Sequence, residues 1–66
     1  MKTKTIVFNN IEYNIISEIE FNNIFYYLIG DGEKIKIVYR LEDEYYQMIN
    51  NDNYKEIIDQ LYLNIN

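Results

Sequence analysis

The side chains able to do chemistry in this chain are carboxylates and phenols. It has eleven acids and eight tyrosines, but no cysteine and no histidine. The densest cluster is Glu42-Asp43-Glu44, followed at once by Tyr45 and Tyr46. Acid–base catalysis by carboxylates needs a pair held in a cleft with their pKa values pushed apart. Adjacent residues in an extended chain point in alternating directions, and this triplet falls where a loop is expected. A solvated charged turn is the simpler account. Lack of histidine removes the commonest general base, the serine triad and most zinc sites. Lack of cysteine removes disulfides and thiolate chemistry. Gly30-Asp31-Gly32 has neither the length nor the lysine of a phosphate-binding loop and reads as hairpin chemistry. Asp31, Glu33, Glu42, Asp43 and Glu44 could offer oxygens to calcium or magnesium, but the EF-hand spacing is absent. The expectation is a non-enzyme with no cofactor and no metal.

Binding is the remaining chemistry. The formal charge of -5 comes from eleven acids against six bases. That sign disfavours direct contact with nucleic acid or an anionic membrane. It favours a protein partner with a basic surface. The candidate partner-binding residues are Glu18, Glu20, Tyr27, Glu33, Glu42, Asp43, Glu44, Tyr45 and Tyr46. The acids fall at turns or on the solvent parity of strands. Tyrosine offers large rigid contact area with a polar tip. Lys34, Lys36 and Arg40 share one strand parity. Cross-strand pairing with Glu12, Glu18 and Glu20 accounts for them better than base stacking does. Coding bias is a second account of the tyrosines: the chain has no alanine, no proline and one arginine, as a low-GC genome would give.

These residues must be positioned by one small domain spanning 1–66. Its 48% hydrophobic and 17% aromatic content is too high for disorder. Asn9-Asn10, Asn22-Asn23 and Gly30-Asp31-Gly32 are turn signals, since Asn and Gly accept the positive φ of tight hairpins. Between them, runs rich in Ile, Tyr, Phe and Val predict antiparallel strands. In Ile11–Phe21 the residues Ile11, Tyr13, Ile15, Ile19 and Phe21 fall on one parity, with a bend or bulge expected near Ser17. Ile24–Ile29 is apolar throughout, as in a central strand covered on both faces. In Lys34–Leu41, Ile35, Ile37, Tyr39 and Leu41 are expected inward and Lys34, Lys36 and Arg40 outward. A fifth strand is expected at Tyr45–Ile49. Asp52 or Asn53 then caps a helix, with Glu56 completing a capping box. The helix carries Tyr54, Ile57, Ile58, Leu61, Tyr62 and Ile65 along one stripe.

The fold class is therefore α+β: a five-stranded antiparallel β-meander with one C-terminal amphipathic helix. One helix covers one sheet face. The second face would carry Val7, Ile16, Phe25, Tyr27, Ile29, Val38 and Ile49. Monomers rarely expose such a patch. The expected solution is a sheet curled into a half-barrel; the other is a second chain, as in a homodimer. Lys2 and Lys4 would guard the first edge.

The longest apolar run, Ile24–Ile29, is too short to span a bilayer, and no signal peptide is read at the N-terminus. A cytoplasmic location is expected. In overall character the chain resembles short anti-CRISPR or anti-restriction proteins. That resemblance implies a small acidic inhibitor from a phage or mobile element, blocking a host nucleic-acid-binding defence protein. The alternative is a housekeeping interaction or dimerisation module binding through the apolar second face.

Overall fold

The computed structural model describes residues 4–48 and 54–65. Five strands follow in chain order: β1 (Thr5–Phe8), β2 (Ile11–Phe21), β3 (Ile24–Gly30), β4 (Ile35–Leu41) and β5 (Glu44–Gln47). Helix α1 (Lys55–Leu63) closes the chain. The sheet order is β1-β2-β3-β4-β5 and every pair is antiparallel, so each strand lies beside its neighbour in sequence. The meander curls into a half-barrel with α1 on its other face.

The asparagine pairs work as expected. Asn9 and Asn10 have φ of 52° and 66°, and Asn22 and Asn23 have 53° and 66°. Two consecutive left-handed residues make the hairpin turn whose twist matches that of the strands. The β3–β4 turn is held differently. Asp31 Oδ1 accepts the backbone N–H groups of Glu33 and Lys34, each at 2.9 Å. Those bonds hold its carboxyl below the usual aspartate range.

A bulge in β2 sets the shape of the sheet. Ile15 pairs with Ile29, but the next pair is Ser17 with Leu28, so Ile16 is an extra residue. A bulge bends its strand and strengthens the local twist. It also exchanges the faces. Tyr13 and Ile15 pack inside the half-barrel with Ile6, Phe8, Tyr27, Ile29, Val38 and Tyr45. Ile16, Ile19 and Phe21 pack on the helix side with Tyr26, Leu28, Ile57 and Leu61. The single apolar parity expected for Ile11–Phe21 therefore serves two cores. Ser17, at the switch, is buried, and its hydroxyl has no partner among the described residues.

Curling decides the second face. Ile29 and Val38 are both 0% exposed, although the helix lies on the other side. Two of the residues expected there are elsewhere, and a third, Phe25, keeps its place on that face but is uncovered. Val7 is 60% exposed because Ile6 and Phe8 take the inward parity of β1. Ile16 is moved to the helix side by the bulge. Phe25 stays exposed toward the β2–β3 turn. Ile49 lies outside the described residues.

β4 follows expectation in its middle and departs from it at its ends. Val38 is buried on the second face and Ile37 and Tyr39 pack on the helix side, while Ile35 and Leu41 are exposed. The fifth strand is Glu44–Gln47, one residue earlier at its start than expected. The helix buries Ile57 and Leu61 against β2 and β3. Each such side chain contributes about 2 kcal/mol of apolar burial. Tyr54 and Ile58 are half-buried, and Tyr62 and Ile65 are exposed, Ile65 lying beyond the last helical residue. The helix starts at Lys55 with Tyr54 at its N-cap and no side-chain capping bond there, later than the expected cap at Asp52 or Asn53; those two residues and Lys2 lie outside the described residues.

Candidate functional site

The β4–β5 hairpin carries the acidic triplet. Leu41 pairs with Glu44, which leaves Glu42-Asp43 as a two-residue turn and makes Glu44 the first residue of β5. Glu42 has φ 57°, unusual for a residue with a long side chain. Arg40 spans this turn. Its Nε donates to the Glu42 carbonyl oxygen at 3.0 Å and its Nη2 to Asp43 Oδ1 at 3.2 Å. The Asp43 carboxylate holds the guanidinium pKa above its ordinary value.

β5 sends its two tyrosines to opposite faces. Tyr45 is half-buried and meets Tyr27 edge-on, with ring centroids 5.8 Å apart. Tyr27 is itself buried inside the half-barrel, which keeps most of its ring from a partner's reach. Burial first, then nearby Tyr45 and Glu18, push the Tyr27 hydroxyl pKa up, and the nearby Arg40 guanidinium opposes that rise. Tyr46 is exposed on the helix side. It stacks on Tyr39 at 5.7 Å and donates its hydroxyl to Glu44 Oε2 at 2.6 Å. That carboxylate raises the Tyr46 pKa. Tyr26, packed against Tyr39 at 6.1 Å, continues the row into the core.

Glu18 and Glu20 are exposed on β2 and lie on the half-barrel side. There Glu18 is opposite Tyr27 and Glu20 opposite Phe25. Lys4 Nζ reaches Glu18 Oε1 at 3.6 Å. The cross-strand pairs expected between β2 acids and β4 bases do not form among the described residues, because β3 lies between the two strands. Of the β4 bases Arg40 takes Asp43 in its own hairpin, and the β2 acid Glu18 takes Lys4.

The expected set thus divides by place. Glu20, Glu42, Asp43 and Glu44 lie toward one end of the meander, the end of the β2–β3 and β4–β5 turns, with Tyr45 and Tyr46 just beyond. Glu18 is two residues further in on β2. Glu33 is in the β3–β4 turn at the opposite end. Among the described residues, no group of three or more acids is arranged to hold a metal ion.

Comparison with known proteins returns no matching family, no matching curated protein and no matching solved structure. The site must be read from its own geometry.

Sequence reasoning missed one part of the acidic surface. Glu56, Gln60 and Asn64 face Glu18–Phe21 across an open groove of about 400 Å³. Their spacing of four marks one side of a helix, which is legible in sequence. That this side lies along β2 depends on the sheet, which the spacing does not describe. Leu41, exposed beside the acidic turn, also lies outside the expected partner-binding set. A second groove, of about 250 Å³, runs between Ile35, Ile37 and Met48 and the helix residues Tyr54, Ile58 and Tyr62. No helix among the described residues is long and apolar enough to cross a membrane.

Proposed function

We propose that this domain is a non-catalytic protein-binding module that offers carboxylates to a basic surface of its partner. Its sharpest form is a small acidic inhibitor from a phage or mobile element. It would cover the basic surface of a host nucleic-acid-binding protein without binding nucleic acid itself. The observation that carries the reading is an imbalance at the turn end. Glu20, Glu42, Glu44 and Glu56 are exposed, while Arg40 and Lys4 are already engaged by Asp43 and Glu18. Exposed carboxylates that enter no ion pair among the described residues attract a basic partner and speed its association.

The alternative, binding through the apolar second face, draws less support. Tyr27, Ile29 and Val38 are already buried within the half-barrel.

The test is a tagged pull-down from a nuclease-treated lysate of a low-GC bacterium, eluted by a salt gradient. A nucleic-acid-binding protein that leaves as salt rises is the expected result, because exposed charge attraction is screened. Replacing Glu42, Asp43 and Glu44 with Gln, Asn and Gln should weaken that partner about tenfold in total. A partner that survives high salt, or is indifferent to the triple change, would remove these acids from the interface.

A further inference from the structure

β2 is longer than the strand beside it. β1 pairs with Ile11–Asn14, and the Ile15 N–H donating to the Lys4 carbonyl at 2.8 Å is the last backbone bond on that side among the described residues. Beyond it, no described strand lies outside Glu18–Phe21.

The Asn22-Asn23 turn fixes which backbone groups face outward. A two-residue hairpin makes its flanking residues, Phe21 and Ile24, a hydrogen-bonded pair. Hydrogen-bonded and non-hydrogen-bonded pairs then alternate, so Ile19 also bonds toward β3. The N–H and C=O groups of Glu18 and Glu20 therefore point to the open side. Their side chains flank the edge on the half-barrel face. On its other face lies the groove floored by Ile19 and Phe21 and walled by Glu56, Gln60 and Asn64.

We propose that this edge accepts an extended lysine- or arginine-bearing segment of the partner as a sixth strand alongside Glu18–Phe21. The added strand bonds through its main chain to Glu18 and Glu20. Its side chains alternate between the two faces, meeting Glu18 and Glu20 on one and Glu56 on the other. The proposal rests on the basic-partner reading above and specifies where and how that partner docks. A second copy of this chain is the poorer occupant, because it would set Glu18 and Glu20 against their own copies, and like charges facing across a strand pair repel.

The experiment uses the full chain, isotope-labelled, titrated with an eight-residue peptide alternating lysine and valine. Controls are the glutamate–valine peptide and the lysine–valine peptide N-methylated at alternate residues. The Glu18 and Glu20 amide protons should exchange about tenfold more slowly with the first peptide only. Glu20→Pro removes an outward N–H that no described strand uses, a position where an edge strand tolerates proline. It should keep the thermal transition and bind the peptide about tenfold more weakly. The joint change Glu18→Gln and Glu20→Gln should weaken binding and flatten its salt dependence. Three results would overturn strand addition: unchanged exchange at Glu18 and Glu20, equal binding of the N-methylated peptide, or self-pairing at this edge. If the glutamine changes weaken binding while proline and N-methylation do nothing, strand addition falls but the basic-partner reading stands. If the partner from the lysate proves salt-insensitive while the peptide still slows exchange at Glu18 and Glu20, that reading falls and the edge survives as a docking site.

Discussion

Glu42 occupies backbone space that asparagine enters readily and glutamate does not. Among the described residues the other left-handed non-glycine residues are Asn9, Asn10, Asn22 and Asn23, all in turns. Arg40 offsets the strain at Glu42 by bonding its carbonyl and the next side chain. Replacing Glu42 with glycine relieves the crowding of a Cβ at φ 57° while leaving the carbonyl bond in place. Glu42→Gly is expected to raise stability by about 1 kcal/mol, read as a higher urea midpoint with an unchanged slope. The same change removes one acid from the proposed partner surface, so tighter folding and weaker partner capture should appear together.

At the scale of elements, the bulge at Ile16 joins two cores that one flat sheet could not serve. Deleting Ile16 would leave Ile15 opposite Ile29 and Ser17 opposite Leu28, so the register survives while the bend is lost. The expected outcome is a folded but loosened chain. It should be destabilised by about 2 kcal/mol and should bind an apolar dye as the half-barrel interior opens. The bulge also explains what the sequence made legible. Turn residues announced the hairpins, and the unbroken apolar run Ile24–Ile29 announced the central strand. The Ile57 and Leu61 contacts were readable from helical spacing. The exchange of faces was not, because Tyr13 and Ile15 share a parity with Ile19 and Phe21. Alternation says that a side is buried and leaves open which core buries it. The acids show the same limit. Their exposure followed from position at turns, but the separation of Glu33 from Glu42–Glu44 is a matter of strand direction. The groove between β2 and Glu56 depends on where the helix docks.

For the whole molecule, tyrosine links packing to pH. Tyr26 and Tyr27 are raised above the ordinary value of 10.0, chiefly by burial. An acid whose folded pKa is raised favours folding while it stays protonated. That contribution is complete below the unfolded tyrosine pKa and is lost as pH rises through the folded values. Alkaline unfolding is therefore expected above pH 10.0, with tyrosinate absorbance and loss of sheet signal changing together. Independent, non-cooperative ionisation of the tyrosines with the sheet intact would contradict the buried placement of Tyr26 and Tyr27.

The neighbour-to-neighbour order of the strands has a kinetic consequence. Every sheet pairing joins segments adjacent in the chain, and two of the turns are asparagine pairs already suited to reversal. Loop closures are short and contact order within the sheet is low, which favours rapid formation of successive hairpins. Docking of α1 onto β2 and β3 spans a greater sequence separation than any strand pairing in the sheet. The helix is then the natural last piece to arrive and the first to leave, so its contacts govern how long the folded chain persists more than how quickly it forms.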